Sequence, residues 1–130
     1  MRRILSSAVC LLALVVTGVQ AQDASERYYQ SIRNNDLAAL RVLVKSSDVN
    51  IKDQRESTPL MYAAAYGSLD VMKLLIDAGA NVNAKNAFAV TPILLCSYDL
   101  GKVRLLVDKG ADVNARTKQN MTALSIAALH

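Results

Sequence analysis

Apolar residues recur along the chain at the three- and four-residue spacing of short amphipathic helices, and glycines and polar residues separate them. The clearest pair of predicted helices lies between Thr58 and Gly79. Thr58 is predicted as the N-cap and Pro59 as the first helical residue, and Gly67 ends this helix. The apolar faces consist of Leu60, Ala63 and Ala64 in the first helix and Leu69, Val71, Leu74 and Leu75 in the second. One pair of helices cannot bury both faces, so the pattern predicts neighbouring pairs stacked against it.

Two short segments return at a nearly constant distance along the chain. Thr58-Pro59-Leu60 recurs 33 residues later as Thr91-Pro92-Ile93, and the sequence GANVN at 79–83 recurs as GADVN at 110–114. A period of about 33 residues, with Thr-Pro opening a helix, is typical of stacked helix–turn–helix units. The repeat therefore predicts an all-α solenoid whose units are joined by β-hairpin-like loops.

The repeat divides the region after residue 21 into four units. Residues 22–57 are predicted as an N-terminal capping repeat, in which Asp23 and Glu26 form a capping box, and residues 58–90 as a full repeat. The repeat at 91–121 lacks two residues near 97–101, which predicts a shortened first helix or a tighter turn. Residues 122–130 form a partial repeat. This end predicts either a truncated array or an edge that meets a partner or a second copy, bordered by Leu106, Val107, Ile126 and Leu129.

The first 21 residues differ from the rest of the chain. Met1-Arg2-Arg3 precedes a mostly apolar run from Ile4 to Val19, and Val19-Gln20-Ala21 fits a signal-peptidase site. This pattern predicts a bacterial-type signal peptide cut after Ala21, with an uncleaved anchor as the alternative, and a periplasmic or secreted protein. Without Arg2 and Arg3, the 15 Lys and Arg residues fall to 13 against 11 Asp and Glu, so the net charge drops from +4 to +2. So small a charge argues against nucleic acid as the partner.

Candidate chemistry is sparse. The only histidine is the terminal His130, and no Cys/His spacing or glycine-rich loop predicts a metal, a cofactor or a catalytic pair. Cys96 is the only cysteine after the predicted signal peptide and occupies the position of Ala63 in the preceding unit. It is interpreted as a buried, unreactive thiol, and a redox function is the alternative. The chain is therefore not predicted to be an enzyme.

The motif at Thr58–Ala64, followed by Gly67, Leu74-Leu75 and GANVN, resembles the ankyrin repeat family over roughly residues 25–130. The resemblance implies protein–protein recognition through the loop tips and the concave face formed by the first helices. Two departures stand out. Met61, Leu94 and Ser125 replace a common histidine, which predicts more apolar contact between units. Glu56, Ala89 and Asn120 replace a common glycine, which predicts looser or differently turned first and second loops.

The resemblance also assigns candidate partner-binding residues. Lys52, Lys85 and Arg116 hold equivalent loop positions and are expected to form a basic column, either for an acidic partner or for solubility. Phe88 is predicted to be either an exposed contact residue or folded back on the next hairpin. The remaining variable positions are Gln54, Arg55, Ser57, Tyr66, Ala87, Val90, Tyr98, Lys118, Gln119 and Met121.

These observations predict an exported, non-enzymatic module that binds a protein, with no nucleic acid, no membrane after signal cleavage and no cofactor. By analogy with the family, it is expected to restrain or protect a co-exported protein. Two alternatives remain: a structural subunit that self-associates through its C-terminal edge, and a redox protein that uses Cys96.

Overall fold

The computed structural model describes residues 23–129, and the predicted signal peptide, its cleavage site and His130 lie outside them. Seven helices occupy the described residues, in which no strand is present. Helix α1 covers 23–33, and it is followed by α2 (Leu37–Ser46), α3 (Pro59–Tyr66), α4 (Leu69–Asp77), α5 (Pro92–Leu95), α6 (Leu100–Asp108) and α7 (Ala123–Ala127). No helix of this part of the chain is long and apolar enough to cross a membrane.

The helices stack as two layers. Within each repeat α3 packs on α4 and α5 on α6; between repeats α3 contacts α5 and α5 contacts α7, while α4 lies between α2 and α6. First helices thus pack on first helices and second helices on second helices, which confirms the all-α solenoid. The predicted faces form its core, because Leu60, Ala63, Val71 and Leu75 are buried together with Ile93, Cys96 and Leu106 of the next unit. The capping unit contributes Tyr28, Ile32, Leu40 and Leu43.

The predicted N-cap residues lie at the starts of their helices, but not all of them form side-chain capping bonds. Ser68 accepts a hydrogen bond from the Val71 amide at 3.2 Å, as a capping residue should. Thr58 and Thr91 occupy the predicted N-cap positions, but their buried hydroxyls find no partner among the described residues. The apolar side chains of Met61 and Leu94 stand three residues after these threonines and are themselves buried, so cohesion here is apolar.

The same position in the last unit carries a polar side chain. Thr122 and Ser125 form a capping box, in which the Ser125 amide donates to the Thr122 hydroxyl at 3.2 Å and the Thr122 amide to the Ser125 hydroxyl at 2.8 Å. The contacts of Asp23 and Glu26 in α1 run along the helix, and the capping box predicted for them stays a prediction. Asp23 pairs with Arg27 at 2.8 Å, and Glu26 accepts a hydrogen bond from Gln30.

The two-residue deletion shortens a helix, as predicted. Helix α5 has four residues where α3 has eight. Lys102 on α6 reaches across to the preceding unit, where its ammonium group donates to the carbonyl oxygens of Ala63 and Ala64 at 3.5 and 3.1 Å. The contact ties the shortened repeat to the end of α3.

The expectation of differently turned loops was wrong. Glu56, Ala89 and Asn120 all adopt left-handed backbone conformations, with φ of 58°, 58° and 64°. Each loop is closed by the same pair of backbone hydrogen bonds, for example Asp53 N to Ser57 O and Glu56 N to Asp53 O in the first. The turn is imposed by these bonds and by side-chain acceptors at its start, so it forms even where glycine is absent.

The edge predicted at the C-terminal end is only partly exposed. Leu106 is fully buried because α6 packs on α4 and α5, so it does not border an open surface. Val107 and Leu129 are exposed, and Leu124, which the sequence did not single out, is 80% exposed.

Candidate functional site

The three hairpin loops are joined to one another at their tips. The Ala87 amide donates to the Arg55 carbonyl at 3.0 Å, and the Lys118 amide donates to the Phe88 carbonyl at 3.3 Å. The loops at 52–57, 85–90 and 116–121 therefore form one continuous surface, which we call the tip ridge. Side chains on neighbouring loops are held in fixed relation, as a surface that recognises an extended partner requires.

Most of the predicted contact residues lie on accessible surface. The structure exposes Lys52, Gln54, Arg55, Tyr66, Lys85, Phe88, Tyr98, Arg116, Lys118 and Gln119, and half-buries Ala87, Val90 and Met121. Phe88 is 53% exposed. Ser57 is only 8% exposed, and its amide and carbonyl groups are both bonded to Asp53. Ser57 is therefore part of the loop scaffold, and we do not retain it as a contact residue.

A cluster of tyrosines lies beside the first tip. The ring centroids of Tyr29 and Tyr62 are 5.0 Å apart and those of Tyr29 and Tyr66 are 6.5 Å apart, both with edge-to-face geometry. Arg33 stacks over the Tyr29 ring at 5.6 Å and donates to its hydroxyl at 3.3 Å. The cluster thus combines residues of α1 and α3, and Tyr66 remains 67% exposed at its edge.

Asp53 links this cluster to the tip ridge. One carboxylate oxygen accepts hydrogen bonds from the amides of Arg55 and Ser57 at 2.8 and 2.9 Å, and the other accepts one from the Tyr62 hydroxyl. Burial, followed by the hydrogen bond to Asp53, raises the pKa of Tyr62 to about 12. Tyr62 therefore stays protonated and remains a donor at all physiological pH values.

Together these groups line an open groove of about 630 Å³, which we call the tyrosine groove. Its walls are Ser25, Glu26, Tyr29, Lys52, Asp53, Gln54, Arg55, Tyr62 and Tyr66. Sequence reasoning identified four of these residues as contacts, namely Lys52, Gln54, Arg55 and Tyr66. It missed Tyr62 and the groove-lining position of Tyr29. The signal was present, because Tyr62 with Tyr66 and Tyr29 with Arg33 stand four residues apart, on one face of a helix.

The basic column is exposed along the tip ridge. Lys52, Lys85 and Arg116 hold the same position in successive loops, and Arg116 donates to the Asn120 side chain at 3.0 Å. Neither Lys52 nor Lys85 is in an ion pair among the described residues. Their charges are therefore available to a partner.

Cys96 has the environment of a packed side chain. It is 1% exposed, and its thiol donates to the Pro92 carbonyl at 3.4 Å. Burial raises the pKa of the Cys96 thiol to about 11, although Lys102 nearby lowers it. A protonated and inaccessible thiol is a poor nucleophile, which favours the structural interpretation. No group of three or more Cys, His, Asp or Glu residues in 23–129 is arranged to hold a metal ion.

Comparison with known proteins agrees with this architecture. A family model described as ankyrin repeats (3 copies) matches residues 7–86 and 28–117. The chain is 43% identical over 67 residues to delta-latroinsectotoxin-Lt1a of Latrodectus tredecimguttatus, which is half of this chain and 6% of the toxin. It is 36% identical over 58 residues to ankyrin repeat protein OPG189 of vaccinia virus (strain Copenhagen), or 45% of this chain and 10% of that protein.

A third relative is the ARF GTPase-activating protein Git of Drosophila melanogaster, 35% identical over 80 residues. The match covers 60% of this chain and 11% of Git. In each case the chain spans about a tenth or less of the relative, so the similarity concerns repeats and not the activity of the whole protein. With the family model matching most of the chain and with the stacked units described above, the chain belongs to the ankyrin repeat family, whose members are generally non-enzymatic modules for protein–protein interaction.

Proposed function

We propose that this protein is an exported, non-enzymatic module that binds another protein in the tyrosine groove and along the tip ridge, and thereby restrains or protects a co-exported protein. The observation that carries the proposal is the tyrosine groove itself. Tyr29, Tyr62 and Tyr66 present a rigid aromatic surface beside exposed cations, and tyrosine and arginine are the residues that dominate protein interfaces. The apolar run from Ile4 to Val19, preceded by Arg2 and Arg3, supports export.

Binding is tested by capturing the partner from the native compartment with the protein and with two variants, Tyr66→Ala and Phe88→Ala. Both side chains are exposed, so their truncation leaves the core unchanged, and we expect each to lower the yield of the partner several-fold. The matched control is Val42→Ala, because Val42 is an exposed apolar residue on α2, in the layer of second helices. Capture that neither Tyr66→Ala nor Phe88→Ala reduces contradicts the proposed site.

Export is tested separately by fractionating cells and measuring the mass of the accumulated chain. The proposal expects a chain that begins at Gln22 and is found outside the cytoplasm. A chain that retains Met1 and stays in the cytoplasm contradicts export, without bearing on the binding surface.

A second candidate function is self-association through the C-terminal edge. The observation in its favour is the exposure of Leu124, Leu129 and Val107 near α6 and α7. Sedimentation velocity distinguishes the two functions, because self-association predicts a dimer that Leu124→Glu converts to a monomer. A protein that is monomeric across the accessible concentration range removes this candidate.

A further inference from the structure

We propose that the segment bound in the tyrosine groove is an acidic peptide, whose carboxylates pair with Lys52, Arg55 and the cations of the following tips while one apolar side chain packs against Tyr66. The inference rests on the proposed binding function and specifies the chemistry of the partner. It follows from the charge, the hydrogen bonds and the spacing of the residues around the groove.

The Asp53 carboxylate inside the groove is already occupied by hydrogen bonds, whereas the exposed Glu26 carboxylate accepts only one. Asp53 accepts three hydrogen bonds from its own loop and from Tyr62, so its carboxylate holds the scaffold and has little capacity left for a cationic ligand. Glu26 accepts a hydrogen bond from Gln30 at 2.8 Å. The cationic side chains of the groove remain unpaired, because neither Lys52 nor Arg55 forms an ion pair among the described residues.

The groove itself is lined by two acidic residues, Glu26 and Asp53, and two basic residues, Lys52 and Arg55, whereas positive charge dominates the rest of the tip ridge. The second and third loops carry Lys85, Arg116 and Lys118, and no acidic residue stands in either loop. The position of Asp53 is taken by Asn86 in the second loop, where the neutral amide oxygen makes the same contacts with the turn amides. A bound segment that follows the ridge therefore meets cations at every loop and finds negative groups only at the first.

The geometry of the ridge suits an extended segment. Adjacent tips are joined by backbone hydrogen bonds, and units one helix diameter apart, about 10 Å, place the first and third tips roughly 20 Å apart. An extended chain rises about 3.3 Å per residue, so about six residues span the three tips. Alternate side chains of such a segment point to the same side about 6.6 Å apart, so residues i and i+6 face the first and third tips, and residues i+2 and i+4 lie on either side of the second tip.

The aromatic geometry favours a peptide over a nucleic acid. Single-stranded nucleic acids stack their bases on open aromatic faces. Here Tyr29 meets Tyr62 and Tyr66 in edge-to-face contacts, and the guanidinium group of Arg33 covers a face of the Tyr29 ring. The exposed part of the cluster is the side chain of Tyr66, which suits contact with one apolar side chain.

The test measures fluorescence anisotropy of three labelled peptides that differ only in charge or in one apolar residue. The first alternates Glu with small residues around a central Leu, the second replaces every Glu with Lys, and the third replaces the Leu with Ser. We expect the first peptide to bind most tightly and to weaken as salt is added, because the contacts are exposed ion pairs. An oligonucleotide of matched negative charge is expected to bind more weakly.

Variants assign the contacts to the groove. The double change Lys52→Glu and Arg55→Glu is expected to weaken binding of the first peptide at least tenfold. The control is Arg41→Glu with Lys45→Glu, which makes the same change in net charge at exposed positions of α2 and is expected to leave affinity nearly unchanged. Tyr66→Ala is expected to weaken the Leu-containing peptide and not the Ser-containing one. Thermal unfolding of each variant verifies that it remains folded.

Several outcomes overturn the inference. These are failure of the acidic peptide to bind, equal or tighter binding of the Lys peptide or of the oligonucleotide, and equal effects of the two charge reversals. If the captured partner still depends on Tyr66 and Phe88 while the acidic peptide does not compete for it, only the inferred chemistry fails. If the partner depends on neither residue, the proposed function fails as well.

Discussion

The repeats at 58–90 and 91–121 have the same design but differ in the length of their first helix. Helix α3 has eight residues and α5 has four. Both repeats nevertheless begin at a buried threonine followed by a proline, and in both a glycine with positive φ, Gly79 or Gly110, follows the second helix. The deletion lies at the turn between the two helices, and just beyond it Lys102 still bonds to the carbonyl oxygens of Ala63 and Ala64 in the preceding unit. The comparison shows that stacking depends on the residues at the interfaces between repeats and tolerates changes elsewhere.

The hydrogen bonds that Asn50 and Asn83 make to the following repeat are the same in the two cases. Asn50 donates to the Gly79 carbonyl at 3.1 Å and accepts from the Asn81 amide at 2.8 Å. Asn83 donates to the Gly110 carbonyl at 3.1 Å and accepts from the Asp112 amide at 2.8 Å. The same two hydrogen bonds therefore connect the capping unit to the 58–90 repeat and that repeat to the 91–121 repeat, which carries the deletion.

The largest expected effect concerns the core leucines of the two second helices. Leu75→Ala and Leu106→Ala each remove a fully buried side chain, which costs about 2–5 kcal/mol of unfolding free energy. We expect Leu75→Ala to be the more damaging, because α4 packs against α2, α3 and α6, whereas α6 packs against α4 and α5. Urea unfolding measures both values. A larger loss for Leu106→Ala would contradict the central position of the 58–90 repeat.

Asn50 and Asn83, which bond one repeat to the next, are expected to have smaller and equal effects on the free energy of unfolding. Asn50→Ala and Asn83→Ala each delete two exposed hydrogen bonds between units, and each is expected to cost about 1 kcal/mol. The two losses should agree within error, since the deletion does not reach these contacts. Clearly unequal losses in urea unfolding would show that the shortened repeat stacks differently.

Ala89 and Asn120 hold the same left-handed backbone conformation in successive loops, although asparagine tolerates it better than alanine. Ala89→Gly is expected to stabilise the protein by about 0.5–1 kcal/mol, because relief of the left-handed strain exceeds the entropy that glycine adds to the unfolded chain. Asn120→Gly is the matched control and should change stability little, because asparagine tolerates this conformation. Thermal unfolding compares the two. Destabilisation by Ala89→Gly would mean that the alanine conformation carries no strain.

The smallest expected effect is the pH dependence of stability that the buried thiol of Cys96 contributes. The preceding repeat has Ala63 at this position and lacks such a group. The folded-state pKa of Cys96, about 11, lies above the ordinary value of 9.0, so the unfolded chain loses this proton first as pH rises. The contribution of the thiol to stability is constant below pH 9 and is lost between pH 9 and 11. Burial likewise raises the pKa of Tyr28 and Tyr62 to about 12, so they act in the same direction above pH 10.

Unfolding midpoints measured from pH 8 to 10 test whether stability falls as the pH rises. The protein is expected to lose stability over that range, and Cys96→Ala is expected to lose less, because the tyrosines remain and the thiol is gone. A decline of the same slope in both proteins would show that the thiol does not contribute. Slow labelling of native Cys96 by a thiol reagent is expected from its burial, and rapid labelling would instead favour the redox alternative.

Much of the fold could be predicted because the same helix-start, helix-end and apolar patterns recur from one repeat to the next. Thr-Pro, Gly67 and Gly79 fix where helices begin and end, and the apolar spacing fixes which faces are buried. The loop tips could not be predicted from local preference, because Glu56 and Ala89 oppose the conformation that they adopt. The tyrosine groove was only partly predictable, since Tyr29 and Tyr62 belong to different units and their contact depends on how the units stack.

The sequence by itself determined the family and the position of the deletion, because helical periodicity and turn residues act over a few positions along the chain. Tertiary structure alone decided which exposed groups come together. It brought Tyr29 and Arg33 on α1 beside Tyr62 and Tyr66 on α3, assigned Asp53 to the loop scaffold and left Lys52 and Arg55 unpaired. The physical reason is that these contacts form between residues distant in sequence, whose separation is set by helix packing.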